Sequence, residues 1–414
     1  MDAGGTAWLL MSAALVLLMT PGLALFYGGL VRERGVVSMM MMSFGALALV
    51  AVLWVLYGWS MSSVPGESFF EFAGAPLADP AMASLAHDDA GMIGAAYGAT
   101  FAIITVALIS GAIADRARFG SWLLFAGLFA TLVYFPVAAW VWGGGWIMQL
   151  GERLGFAGVE VIDYAGGTAV HINAGAAALA LALVLGRRQG FGRRLAAPHS
   201  VPLVLIGTAL LWFGWFGFNV GAEGTGDLTA GIPGLIFMNT IAAPAAGILG
   251  WLLLERLRGG KPTAIGAASG AIAGLVGITP ACASIAPDWA LLLGAVCGLA
   301  ANWACELKWL AKYDDSLDVV GIHLVAGLIG SLWPGLFAYG TGLLTGGGAE
   351  QLLLQLVASV AVLGYSFGMS WVLGTAIQRT IGFRLTSEEE VAGVDESVHG
   401  ERAYRREADA ELVA

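Results

Sequence analysis

The chain has 414 residues, of which 58% are hydrophobic and 12% charged, and its mean hydropathy is +0.81. These values are far from those of soluble domains, in which about 25% of residues are charged, and they indicate a polytopic membrane protein. The formal net charge of −10 says little about partners and gives no sign of nucleic-acid binding, because the acidic surplus is spread over loops and a polar C-terminal segment.

Apolar runs long enough to cross a bilayer recur along nearly the whole chain. About 20 residues at a rise of 1.5 Å are needed to span about 30 Å of hydrocarbon. We predict an all-α fold with eleven transmembrane helices, at approximately residues 6–31, 36–62, 91–114, 120–140, 163–186, 201–221, 231–254, 263–282, 288–309, 318–339 and 350–378. Residues 1–379 then form a membrane domain, and residues 380–414 form a cytoplasmic tail.

The distribution of basic residues predicts the orientation, because Lys and Arg accumulate in cytoplasmic loops. With the N-terminus outside, 18 of the 19 basic residues lie on the inner side and only Arg153 lies outside. The inner set comprises Arg32, Arg34, Arg116, Arg118, Arg187, Arg188, Arg193, Arg194, Arg256, Arg258, Lys261, Lys308, Lys312, Arg379, Arg384, Arg402, Arg405 and Arg406. We therefore expect a multi-pass protein of the cytoplasmic membrane with its C-terminus inside.

Two histidines occur in the same five-residue setting, His171-Ile-Asn-Ala-Gly175 and His323-Leu-Val-Ala-Gly327, 152 positions apart. Each lies within a predicted span, where an ionisable side chain is costly and marks an ion or substrate path by default. The alternatives are buried histidines satisfied by backbone carbonyls, or a metal site. Two nitrogens without a third ligand make a poor zinc site. Cys282, Cys297 and Cys305 show no metal or disulfide spacing, so we expect neither a metal nor a cofactor.

The position of the histidines predicts an internal repeat. Five spans lie in residues 1–186 and five more in residues 200–340, and an odd number of crossings turns the second half upside down relative to the first. A long final helix follows at 350–379. Such inverted repeats place transporter sites near the midplane, so the two histidines would approach each other from mirrored helices. An acidic residue, Asp163 or Asp318, stands at the start of each of these two spans.

Several segments resemble the Amt branch of the Amt/Rh ammonium transporter family, and the resemblance covers essentially the entire chain. They are Phe101-Ala-Ile-Ile-Thr105, Trp142-Gly-Gly-Gly145, Asp163-Tyr-Ala-Gly-Gly-Thr-Ala-Val-His171-Ile-Asn173, Gly214-Trp-Phe-Gly-Phe-Asn219, Gly277-Ile-Thr-Pro-Ala281 and Asp318-Val-Val-Gly-Ile-His323. This resemblance implies a homotrimer of eleven-helix subunits with one pore in each subunit. The substrate that it implies is ammonium or ammonia, with methylammonium as a further candidate.

The resemblance also implies roles for individual residues. His171 and His323 are the twin histidines of the pore, Phe101 and Phe218 the stacked gate, Trp142 and Asp163 part of the outer vestibule, and Trp215 a pore-lining residue. Stripping the water from an ammonium ion costs far too much for a narrow apolar pore to pass it simply as a hydrated ion. A neutral imidazole can accept a hydrogen bond from N–H or take up a proton.

Two of these roles have equally good alternatives in the residues themselves. Asp163 stands at the start of a span, where its carboxylate can cap free backbone N–H groups as well as favour a nearby cation. Trp142 offers an indole face to a cation, yet tryptophan is also frequent at membrane interfaces, and the chain contains 15 tryptophans.

Position 222 departs from the family pattern, in which a serine hydroxyl commonly completes the outer cation site. Ala222 can neither donate nor accept a hydrogen bond. We expect weaker binding of ammonium at the pore mouth, or participation of a backbone carbonyl or of Glu223 instead. Substitution Ala222→Ser with measurement of half-saturation tests this expectation.

In the tail, Ser387 and Glu390 have capping-box spacing and Gly393 offers a stop, which predicts one short helix. The family resemblance implies that the tail couples subunits and lies beside the surface where PII-type nitrogen regulatory proteins bind. A transporter is the function that we predict, and a sensor signalling through the tail with little flux is the alternative. We do not expect an enzyme, because no nucleophile, metal set or phosphate loop accompanies the histidines.

Overall fold

A computed structural model of the chain describes residues 2–64, 71–192, 197–223 and 231–404. Four of the basic residues that we assign to the inner side lie outside these ranges, namely Arg193, Arg194, Arg405 and Arg406. Within the described ranges the regular secondary structure is helical, apart from an isolated bridge between Ala117 and Arg384.

Ten helices in the described chain are long and apolar enough to cross a membrane, and one shorter apolar helix of 15 residues lies among them. We number these helices α1 to α11 in chain order: Ala3–Leu30, Glu33–Met61, Asp89–Ile113, Phe119–Val141, Gly167–Leu185, Val201–Glu223, Pro233–Leu257, Ala264–Ile278, Pro287–Ala311, Val320–Phe337 and Glu350–Thr380. The all-helical membrane architecture predicted from the composition is confirmed.

The shorter helix, α8, ends earlier than the predicted span, which runs over residues 263–282. Its last residue is Ile278, and Ala281 donates its N–H to the Ile278 carbonyl across a turn at 2.9 Å. Pro280 explains the early end, since proline lacks the N–H that would continue the helical hydrogen bonds. The predicted spans 163–186 and 318–339 likewise include non-helical entry segments, because α5 begins at Gly167 and α10 at Val320.

Small residues allow the helices to approach closely, as expected in a bilayer, where apolar burial alone does not drive association. A Cβ atom added at Gly207 of α6 would lie 2.3 Å from the backbone nitrogen of Phe26 in α1. One added at Gly294 of α9 would lie 2.0 Å from the carbonyl oxygen of Ala243 in α7. Side chains at these glycines would therefore force α1 away from α6 and α7 away from α9.

The tail forms two short helices, α12 at Ser387–Ala392 and α13 at Val394–His399, instead of the one that we predicted. The capping box also lies one residue earlier than expected. Thr386 accepts a hydrogen bond from the Glu389 N–H, and the Glu389 carboxylate accepts one from the Thr386 N–H. Ser387 and Glu390 have the same spacing, but Glu390 is buried and accepts from Arg384 and the Gln189 backbone, so the neighbouring pair forms the cap.

The tail docks against loops that carry the predicted inner basic residues. Asp395 of α13 accepts hydrogen bonds from the N–H groups of Val37 and Ser38, at 3.0 and 2.8 Å, near the start of α2. Arg384 donates to the carbonyl oxygens of Leu185, the last residue of α5, and of Arg187, which follows α5. The tail and these loops therefore share one side of the helical bundle.

Candidate functional site

The two repeated histidines meet inside the bundle. Their Nδ1 atoms are 3.3 Å apart, the ring centroids are 5.4 Å apart, and both residues are buried. Between neutral rings, one Nδ1 carries the hydrogen of this contact and the other accepts it. The Nε2 atom of His171 is buried and has no hydrogen-bond partner among the described residues. A buried imidazole nitrogen without a partner is free to bind a small solute.

The glycine that follows each histidine by four positions explains the repeated five-residue setting. A Cβ atom at Gly175 would lie 2.6 Å from the backbone nitrogen and Cβ of Leu324, directly after His323. One at Gly327 would lie 3.1 Å from the Cβ of His171. Each helix thus uses its glycine to admit the histidine segment of the other, and the contacts are mirrored between α5 and α10.

Asp163 caps the helix that carries His171. Its carboxylate accepts hydrogen bonds from the backbone N–H groups of Gly166, Gly167, Thr168 and Ala169 and from the Thr168 hydroxyl. This arrangement satisfies the free N–H groups at the start of α5, which begins with a wider, π-helical turn at Gly167–Ile172. The capping alternative for Asp163 therefore holds. The negative charge is buried and is held beside the vestibule described below.

The counterpart of Asp163 in the second half is Asp315, which our sequence reasoning missed. Asp315 precedes His323 by eight positions, as Asp163 precedes His171, and it accepts a hydrogen bond from the Val320 N–H at 2.7 Å. Asp318, which we had paired with Asp163, instead forms an ion pair with Lys308 at 2.5 Å. The equal spacing to the histidines is the signal that would have identified Asp315.

A narrow cavity of about 10 Å³ lies beside the two imidazoles. Its walls combine the histidines with aliphatic side chains, including Leu108, Leu211 and Ile272. Such a volume holds about one molecule of the size of water, so the space suits a single small molecule. Few polar groups line this cavity. A charged solute that entered it would lose its water, and the cavity wall could not replace all of the hydrogen bonds that the water had formed.

Phe101 and Phe218 stack face to face, with ring centroids 4.1 Å apart and planes inclined by 21°. Phe218 also lines the narrow cavity, and Phe101 lines a larger cavity on the other side. Both rings are buried. The stacked pair therefore forms the partition between the two cavities.

The larger cavity, which we call the vestibule, has a volume of about 340 Å³ and is lined by aromatic side chains together with Ala222. The Trp142 ring stands at 90° to Phe101 with centroids 5.9 Å apart. Its indole Nε1 donates to the carbonyl oxygen of Asp163 at 2.9 Å, which fixes the ring beside the capped start of α5. Trp142, Asp163 and Ala222, predicted to lie together, are thus brought together.

Trp215 lines the narrow cavity. Its ring centroid is 5.6 Å from that of His171, and its Nε1 donates to the Thr279 hydroxyl at 2.8 Å. Since the indole N–H is already used, Trp215 presents an apolar face to the cavity. Seven of the eight site residues predicted from the sequence therefore line one of the two cavities, whereas Asp163 lines neither and caps α5.

A bundle of membrane-spanning helices with an aromatic vestibule, an aromatic partition and a narrow, mostly apolar cavity containing two imidazoles is typical of a transporter or channel for a small polar solute. The model of the Ammonium Transporter Family matches residues 7–404. This chain belongs to that family, and the resemblance found in its sequence is confirmed.

Individual relatives agree with this assignment. An ammonium transporter of Mycobacterium bovis is 48% identical over 444 residues, covering 97% of this chain and 90% of the relative. The crystal structure of Candida albicans Mep2 superposes with a TM-score of 0.84 at 32% identity, covering 94% of this chain and 88% of that one. A solved structure described as a sensor Amt protein gives a TM-score of 0.85 at 26% identity, covering 94% of this chain and 97% of that one.

Proposed function

We propose that this protein moves ammonium nitrogen across the cytoplasmic membrane, through a pore in each subunit that passes His171 and His323. The observation that carries the proposal is the unpartnered Nε2 atom of His171 at a cavity of about 10 Å³. An imidazole nitrogen there can bind ammonia by a hydrogen bond or exchange a proton with ammonium. Both abilities match a substrate that is a small nitrogen base.

Recruitment and desolvation take place in the vestibule. An indole face attracts a cation by roughly 0.5–2 kcal/mol, increasing as water is removed, and Trp142 is held in place by its bond to Asp163. The buried carboxylate of Asp163 adds a negative field without having to touch the substrate. The Phe101–Phe218 pair then excludes a continuous water column, which keeps hydrated ions of similar size out of the pore.

We further propose eleven transmembrane helices, arranged as two inverted halves followed by α11, with the N-terminus outside. The mirrored contacts of Gly175 and Gly327 support the inversion. Docking of the tail against the basic loops supports a cytoplasmic C-terminus. Assembly as a homotrimer, and binding of a PII-type regulatory protein at this face, belong to the same proposal and follow from the family relationship.

A sensor with little flux is the second candidate function. The observation in its favour is the similarity in fold to the sensor Amt protein. Within the described residues the tail is short and contains only α12 and α13. A sensor would bind ammonium at the vestibule and transmit the change through this docked tail.

Purified protein in liposomes on a solid-supported membrane tests these alternatives by a jump in ammonium concentration. A transient current that disappears in His171→Ala and persists in His199→Ala supports charge movement past the histidine pair. His199 is a matched control, because it lies outside the pore and contacts Val31 and Tyr404. Ammonium flux without current indicates neutral transport, whereas binding without flux supports the sensor and overturns the transport proposal.

A further inference from the structure

The rim of the vestibule carries a carboxylate beside the position that lacks a hydroxyl. Ala222 lines the vestibule, and Glu223 follows it at the end of α6. Glu223 is half-buried. Its side chain does not itself line the cavity and remains partly open to solvent.

Two neutral groups hold this carboxylate in position. The Tyr164 hydroxyl donates a hydrogen bond to Oε2 of Glu223, and the Ile232 N–H donates to Oε1 at 3.0 Å. Tyr164 itself lines the vestibule. Burial, followed by the bond to Glu223, raises the pKa of the Tyr164 phenol, so that the hydroxyl keeps its proton and remains the donor.

The charge of Glu223 is not neutralised by these contacts. The ion pairs formed within the described ranges do not include Glu223. The residues that follow it, 224–230, contain no Lys or Arg in the sequence. Each carboxylate oxygen receives one hydrogen bond from the described residues and can accept more. A net negative charge therefore remains at the pore mouth.

We propose that Glu223 is a specificity-determining residue that recruits ammonium to the vestibule by its charge, at the site where Ala222 leaves no hydroxyl to contribute. The inference rests on the proposed transport function. Tyr164 is the positioning residue, since it links the carboxylate to the vestibule wall. An oriented negative charge favours the ammonium cation over neutral solutes and raises its local concentration, and salt screens this effect.

The test compares Glu223→Gln with the wild type by two readouts: ammonium-evoked current, and quenching of tryptophan fluorescence by ammonium, which reports binding without flux. The expected result is a rise in half-saturation of roughly three- to tenfold at low ionic strength, the order that one charge at a few ångströms produces in a water-like dielectric. The maximal current stays unchanged, and the difference shrinks at high salt.

Two further variants separate charge from structure. Glu223→Asp retains the charge and is expected to keep half-saturation close to that of the wild type. Glu160→Gln is the matched control, because it removes an exposed carboxylate between α4 and α5 that, within the described chain, is not bonded to Tyr164 or to another residue of the vestibule wall. Its half-saturation is expected to equal that of the wild type.

Unchanged half-saturation in Glu223→Gln overturns the proposal, as does an equal rise in Glu223→Asp and Glu223→Gln. A fall in maximal current without a change in half-saturation assigns Glu223 a purely structural role and also overturns it. These outcomes are distinct from failure of the transport function. If the wild type binds ammonium but carries no flux, the fluorescence readout still decides whether Glu223 recruits the ion.

Discussion

Replacement of Asp163 by alanine is the most direct test of how α5, the helix that carries His171, is built. The carboxylate accepts five hydrogen bonds, four of them from consecutive backbone N–H groups. Each buried donor left without a partner costs about 1–3 kcal/mol. Unwinding of the first turn would relieve part of this cost, but a Cβ at Gly167 would already lie 2.6 Å from Pro280, so the turn is tightly packed.

We therefore expect Asp163→Ala to lower the free energy of unfolding by about 3–5 kcal/mol, which is more than an ordinary cap contributes. For a chain of this size the melting temperature should fall by roughly 5 °C. Thermal unfolding in detergent, followed by size-exclusion chromatography, measures the shift. Asp88→Ala is the matched control, because exposed Asp88 caps α3 through a single N–H, that of Gly91, at 3.0 Å. Its expected cost is about 1 kcal/mol.

A melting temperature for Asp163→Ala within about 1 °C of the wild type would refute the capping argument, given the scale of such shifts. Asp163→Asn removes the charge and keeps part of the cap, because one of the two oxygens that share the five hydrogen bonds still accepts. A folded Asp163→Asn protein that no longer transports would show that the negative field in the vestibule is required. If the Asp163→Asn variant instead transports in proportion to its folded fraction, the charge is not required and the role of Asp163 is to cap the helix.

Three further predictions concern packing, the tail and pH. Gly330→Ala should destabilise the protein by about 1–3 kcal/mol, because its Cβ would lie 2.2 Å from the Gly277 carbonyl oxygen. Gly364→Ala is the control, because its Cβ would have nothing within 4 Å, and it should melt like the wild type. Asp395→Ala should release the tail and speed its cleavage by trypsin, and exposed Glu388→Ala should not. Burial tends to raise the pKa of Asp314, but its hydrogen bonds and ion pair with Arg188 lower it overall. The stability that Asp314 contributes is thus present above the unfolded pKa of about 3.9 and is lost as pH falls through the lower pKa of the folded protein. The melting temperatures of wild type and Asp314→Asn should therefore differ at pH 7 and converge in acid.

The sequence alone predicted the membrane class, the approximate spans and the histidine pair. The first two follow from the bilayer, which requires long apolar helices whatever their tertiary arrangement. The pair followed from repetition of a costly residue in one local setting, His171 to Gly175 and His323 to Gly327. Such signals are local, so they can be read without knowledge of which helices touch.

Tertiary structure decided the contacts between distant segments. It assigned the second helix cap to Asp315 instead of Asp318, selected Thr386 over Ser387 for the capping box, and joined Tyr164 to Glu223 across 59 positions. Neighbouring residues of the same chemical type are equivalent in a sequence. Which of them forms the contact depends on where the packed backbone directs each side chain, and only the folded chain specifies that direction.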